Sequence, residues 1–429
     1  MITRRRLLAL LPATALHTRL QSQVGIFTRK PKLPPPLPHP LVLFGTDTSR
    51  PAAKGIYSAR FDPNAGRFSP PVLAAACLRP TYMAMNEIYS AIPSKPKSKA
   101  EISLPRAQQP KNQIRHLVYA VNEGDEKTSS ISSYQLDPST GALTLLGRVA
   151  SGGASPCYLA VDTSGRSAYV ANYIGGTIAS YRVLPDGSLS QPVDRVDFHN
   201  RDTFGHPGPV KPQQDGPHPH SATLSPDNRF IVVNDLGDDT IATFPIDPKT
   251  SYLGKPHLFQ TMAPGSGPRH IAFHPNQRWA YGIDELASRI DLYLYTDMHS
   301  QPGVEAQAIF SSAGHSVSTL DSGFRGISWA AEVYVVPTGD YLYASNRGEN
   351  TLVVFAVDET NGTLTFRQRI SCGGKTPRHF TLDHSGNWLI CGNQDSASVT
   401  VFARDAGTGK LTGPVQTLPL ESPMFTLFV

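Results

Sequence analysis

The feature that most limits what this chain can fold into is an internal repeat. A β-rich run ending in Asn or Asp recurs at Tyr119–Asn122, Tyr169–Asn172, Ile231–Asn234, Tyr281–Asp284, Tyr343–Asn346 and Leu389–Asn393. Successive markers stand 50, 62, 50, 62 and 47 residues apart, and Leu41–Asp47 reads as a further copy near the start. A period of this size denotes stacked or radially arranged units. It overrides the count of about three domains that length alone would suggest.

Each unit has the same grammar. A first strand follows a proline or small residue, as in Pro156–Asp162, Pro268–His274 and Pro377–Asp383. A turn such as Ser225-Pro-Asp-Asn228 follows, built from residues that tolerate tight backbone angles. The marker is the second strand, an alternating run such as Thr351–Asp358 is the third, and Asn361-Gly362 leads into a fourth. No long window carries helical periodicity. Four short antiparallel strands per repeat describe propeller blades.

First strands are expected near Pro80, Pro156, Pro219, Pro268, Ala331, Pro377 and Pro423. The last has no strands after it, and the set at about 41–75 has no first strand before it. The two fragments complete each other. The expected fold is therefore all-β, a seven-bladed propeller over 41–429. Its ring closes by pairing the C-terminal strand with the N-terminal three, which removes an exposed edge.

Residues 1–29 read as a leader. Thr3-Arg4-Arg5-Arg6-Leu7-Leu8 has the form of a twin-arginine export motif, and Ala13-Thr14-Ala15 offers a small-residue cleavage pattern. An uncleaved basic tail is the alternative, with a cytoplasmic location. The expected destination is the periplasm or the exterior, and the mature chain has no apolar run long enough to span a bilayer. Residues 30–40, rich in proline, read as a stiff linker. The net charge of +5 gathers largely in the leader and in an insertion at about 87–115. That insertion is either a basic docking loop or a solvated hairpin tip. No clustered basic stripe argues for nucleic acid, and a chain that closes its own ring is expected to be a monomer. The four cysteines lie far apart without a C-x-x-C, so free thiols are expected.

In up-and-down blades, the start of strand one and the end of strand two share a face. Starts contribute His220, Arg269, Glu332 and Arg378; ends contribute Glu123, Tyr173, Asp235, Glu285 and Arg347. Charge concentrates in consecutive blades, as His220 with Asp235, Arg269 with Glu285, and Glu332 with Arg347. Long links at about 199–217 and 299–330 emerge on this face and are placed to cover it. The cluster is either a pocket for a small anionic substrate or a network of ion pairs that lock blades. His270 and His379, after Pro-Arg in two blades, read as blade packing. His218-Pro-His220 is the one pair shaped like metal ligands, with His206 and Asp235 the only further candidates; no metal or cofactor is expected. There is no nucleophile elbow, P-loop or dinucleotide fingerprint.

Gly216-Pro-His-Pro-His-Ser-Ala222, Gly267-Pro-Arg-His-Ile271, Ala331-Glu-Val-Tyr-Val335, Ala344-Ser-Asn-Arg-Gly348 and Gly374-Lys-Thr-Pro-Arg-His379 together resemble the seven-bladed propeller lactonases. That family includes 6-phosphogluconolactonases and a muconate lactonizing enzyme. The resemblance implies a cofactor-free enzyme acting on a small acidic or phosphorylated lactone. It implies catalytic roles for His220, Arg269, Glu285 and Arg347. Glu332, Arg378, His218 and Asp235 are the expected substrate-binding neighbours. Asp284 stands where the family usually has Asn. A muconate-type cycloisomerase and a non-catalytic propeller binding a carbohydrate or protein are the alternatives.

Overall fold

The computed structural model describes residues 39–90, 113–260, 263–298 and 307–429. The leader, most of the linker and most of the basic insertion lie outside the described residues. Seven antiparallel sheets form, one per repeat. Blade 1 joins Leu41–Thr46 and Gly55–Asp62 to the C-terminal strand Pro423–Phe428. Its closure runs from Val42 opposite Phe428 to Thr46 opposite Pro423. Blades 2 to 7 begin at Met83, Pro156, Pro219, Pro268, Trp329 and Pro377, close to the expected starts. The described residues hold no α-helix, only a 3-10 turn at Gln394–Ser396.

Second strands are buried along their whole length, as at Ser167–Asn172 and Phe230–Asp235, because neighbouring blades cover both faces. The core accordingly lies between blades. One cluster packs Trp279, Tyr281 and Ile283 of blade 5 on Val333, Leu342 and Phe355 of blade 6. Another packs Ile390 and Val401 of blade 7 on Val42, Phe44 and Phe428 of blade 1, sealing the ring. Marker tyrosines add a polar tie: Tyr119 donates to Gly187 O at 3.0 Å and Tyr281 to Gly362 O at 2.8 Å, each in the next blade.

Two local expectations are corrected. The outer strand of blade 1 is broken into Arg67–Phe68 and Val72–Ala76, both pairing with Gly55–Asp62. Residues 299–330 are not a single inter-blade link. Gln307–Ser318 pairs with Arg289–Met298 from Met298 opposite Gln307 to Arg289 opposite Ser318. The extra length therefore extends a hairpin away from the site face, and only 319–328 crosses between blades 5 and 6.

Candidate active site

Two backbone devices aim side chains at the axis. The first is a bulge at the second residue of the first strand. In blade 5, Pro268 pairs with Asp284 and His270 with Ile283, which leaves Arg269 unpaired. The same step leaves out His220 in blade 4, Arg378 in blade 7 and Cys157 in blade 3. A bulge inserts one residue and turns its side chain out of the alternation.

The second device is a clamp on the residue just past strand two. In blades 3, 5 and 7 the residue before the strand-initial proline holds a left-handed φ: 53° at Ser155, 63° at Gly267 and 60° at Thr376. Its carbonyl then accepts the amide of Tyr173 (2.9 Å), Glu285 (2.7 Å) or Gln394 (3.0 Å). At Gly267 a Cβ would also meet Leu286, so glycine suits both the angle and the space.

These devices bring Arg269 and Glu285 to the axis, where Arg347, the last residue of its strand and paired with Trp329, joins them. Glu285 Oε2 accepts from Arg347 Nη2 at 2.6 Å and from Arg269 Nε at 3.1 Å. Arg269 is held further by the Ala331 carbonyl, and Arg347 by the Ala330 carbonyl at 3.2 Å. All three side chains are almost wholly buried. Burial raises the Glu285 carboxyl's pKa, but Arg347, Arg269 and Arg378 outweigh it and leave it below the usual range. Burial and the neighbouring arginines depress Arg269 to about 10, still a cation at neutral pH.

Glu285, Arg347, His220, Arg378, Glu123, Cys157 and Tyr173 line a cavity of about 230 Å³. Arg378 is half-buried there and takes no part in the Glu285 ion pairs. Burial, then Arg269 and His270, push His220 well below its ordinary value, so it is neutral at neutral pH. His220 Nδ1 and Arg347 Nε are buried without a hydrogen-bond partner among the described residues. Unsatisfied buried donors and acceptors are costly and call for an explanation.

Glu332 does not face this cavity. It lies in a narrow extension with His270 and His379, where His270 Nδ1 donates to Oε1 at 3.1 Å and His379 Nε2 is 3.8 Å from Oε2. Glu332 is held at about 2 against its burial by His270, and then by His379 and Arg269. His270 and His379 thus partner a buried carboxylate across blades 5, 6 and 7.

Asp235 is also set apart from the cavity. In blade 4 it is Asp235, not Asn234, that pairs with the strand-initial proline, and the clamp takes Leu236 N. A one-residue shift turns the side chain away. The Asp235 carboxylate instead accepts the amides of His218 (2.7 Å) and Gly237 (3.0 Å). His218 faces an adjoining chamber, with Nδ1 2.9 Å from Tyr173 O and Nε2 2.9 Å from Asp215. Among the described residues no three His, Cys, Asp or Glu side chains are grouped to hold a metal, and the four cysteines are free thiols. Glu123, Cys157 and Tyr173 are lining residues that no motif marks, although Glu123 and Tyr173 stand just past a second strand and Cys157 on a first-strand bulge.

Fold and site define a seven-bladed propeller with a charged pocket at one end of its axis. The sequence model of the family described as "Lactonase, 7-bladed beta-propeller" matches residues 94–428. A 6-phosphogluconolactonase of Bacillus subtilis strain 168 is 30% identical over 377 residues, covering 88% of this chain and 95% of that protein. One of Formosa agariphila is 32% identical over 310 residues, covering 71% and 81%. The solved structure of a periplasmic gluconolactonase of Pseudomonas aeruginosa matches with a TM-score of 0.74 at 27% identity, over 91% of this chain and 99% of that one. The chain belongs to the seven-bladed β-propeller lactonase family.

Proposed function

We propose that the protein hydrolyses the lactone of a small sugar acid, phosphorylated or plain, in the cavity around Glu285. The observation that carries this reading is the Glu285 carboxylate between two guanidiniums, with Arg378 beside it unengaged by that pair. An electron-rich substrate oxygen finds fixed positive charge there without reorganisation. As the substrate draws on Arg347 and Arg378, the hold on Glu285 loosens and its carboxylate becomes a stronger base.

Glu285 then takes a proton from water as the water oxygen bonds to the lactone carbonyl carbon. The tetrahedral oxyanion rests on the arginines. Its collapse breaks the bond from carbonyl carbon to ring oxygen, and the proton that Glu285 took from water passes to that oxygen, with the neutral His220 ring hydrogen-bonded to it. The product acid ionises, so each turnover releases one proton.

A pH-stat panel of 6-phosphogluconolactone and plain gluconolactone, with and without chelator, tests the reading. Enzyme-dependent acid release that chelator leaves unchanged is expected. Silence across the panel would overturn the reading in favour of a binding propeller. The arginine motif at Thr3–Leu8 and the periplasmic relative support export. Fractionation of the producing cell should find the protein outside the cytoplasm, and a cytoplasmic pool alone would refute that.

A further inference from the structure

Beside the reaction cavity lies a second chamber of about 400 Å³, larger than the first. Tyr173 and Ile174 line both, so the two chambers meet along one wall. His218 and the link at 199–217, with His199, Pro212, Gln213 and Asp215, supply the rest of it. This wall is anchored. Gln214, fully buried, donates to Leu236 O at 2.9 Å and to Asp239 at 2.8 Å, and Arg201 pairs with Asp238. Asp215 holds His218, whose ring stacks on Tyr173 at 4.5 Å and 14°.

The chemistry of the two chambers differs. The inner one carries Arg347 and Arg378, and its two carboxylates, Glu123 and Glu285, are already paired with Arg79 and with Arg269 and Arg347. Among the described residues the outer one has no Lys or Arg on its wall, and it carries the exposed carboxylate of Asp215. An anionic group is drawn inward and repelled outward. What the outer wall offers is hydrogen bonding from Gln213, Asp215 and His199 beside the apolar faces of Ile174 and Pro212. That combination suits a neutral pyranose, with hydroxyls at its rim and C–H groups on its faces.

We infer that the outer chamber is a subsite for an uncharged sugar residue carried on the lactone, so that the preferred substrate is the lactone of a glycosylated sugar acid. The inference rests on the lactonase reading and deepens it. Contacts made to the remote sugar would be used to hold the reacting ring in place, raising kcat/KM.

The test compares kcat/KM of the full chain on gluconolactone and on its 4-O-glucosyl derivative by pH-stat. The glucosylated lactone should be preferred by at least about tenfold. A plug supplies the second arm. A Cβ at Gly216, on the chamber wall, would meet nothing within 4 Å, so Gly216→Phe places a ring in open space. That variant should lose the preference, its ratio dropping about tenfold. Hydrolysis of both lactones at equal efficiency by the parent protein overturns the subsite and leaves the lactonase reading standing. So does a Gly216→Phe ratio equal to the parent's. Hydrolysis of neither lactone overturns the subsite, and only silence on 6-phosphogluconolactone as well sinks the lactonase reading.

Discussion

Glu285 and Glu332 are two buried glutamates on neighbouring blades with opposite surroundings. Glu285 follows a second strand, sits between Arg269 and Arg347, and opens onto the 230 Å³ cavity. Glu332 lies in a first strand, sits between His270 and His379, and lines only the narrow extension behind. Guanidiniums stay charged at any working pH, whereas buried imidazoles can give up their charge. The first arrangement is a charge store that an incoming anion can redistribute. The second is a closed hydrogen-bonded cluster that ties three blades together at the axis.

The contrast is broken most sharply at Glu285. Glu285→Asp keeps the charge between the arginines but withdraws the carboxylate by one methylene. Lactone turnover should fall about 100-fold, since misplacement by about 1 Å costs that much, while the melting temperature stays close to the parent's. Near-normal turnover would remove Glu285 from the chemistry.

Arg347→Lys comes next. A lysine ammonium, compact and strongly hydrated, does not reproduce the position of the guanidinium Nη2 that meets both Glu285 and the Ala330 carbonyl. A loss of about 10- to 100-fold in kcat is expected, below the 10²–10³ for deleting an oxyanion donor outright. An unchanged kcat would show that charge alone matters there.

A smaller effect is expected at Arg378. Arg378→Ala should raise KM about tenfold for an anionic lactone, the equivalent of about 1.4 kcal/mol, and less for an uncharged one. Equal changes for both would deny it an anion-binding role.

The effect on turnover is smallest at the histidine cluster, whose role concerns stability. Burial lowers His379 from 6.5 to about 4, and His270 is lowered as well. Between pH 6.5 and 4 the unfolded chain therefore binds protons that the folded chain refuses, so stability falls as pH falls through that window. Each such group contributes at most about 1.4 kcal/mol per pH unit. Glu332, lowered to about 2, adds a further loss below its unfolded value of 4.5. Thermal melts from pH 7 to 4 should show the decline, and His379→Gln should flatten it. An identical slope in the variant would place the titration elsewhere.

Much of this was readable beforehand because one geometric unit is written seven times. Strand-initial prolines fix the blade starts, and the bulge after them makes the next residue axial, which is why His220, Arg269 and Arg378 could be picked from the repeat alone. Where the unit is altered, the reading slipped. Asp235 follows an Asn like its counterparts, but blade 4 pairs one residue out of step, and only the register reveals it. Gln307–Ser318 is rich in Ser, Ala and Gly, poor strand formers, and becomes a strand through its pairing with Arg289–Met298. Glu332 sits one residue beyond the usual axial position, because the blade 6 bulge spans Ala331 and Glu332 between Ala330 and Val333. Its histidine partners lie on two other blades, beyond the reach of any local motif.

The central claim is that this site drives water onto a lactone carbonyl. Turnover in ¹⁸O-enriched water, followed by mass spectrometry of the product, tests it directly. The account predicts that the enzyme-dependent product carries one ¹⁸O atom per turnover, located in the carboxylate. A product formed without label, as ring opening by elimination would give, or with label in the hydroxyl group, would contradict it.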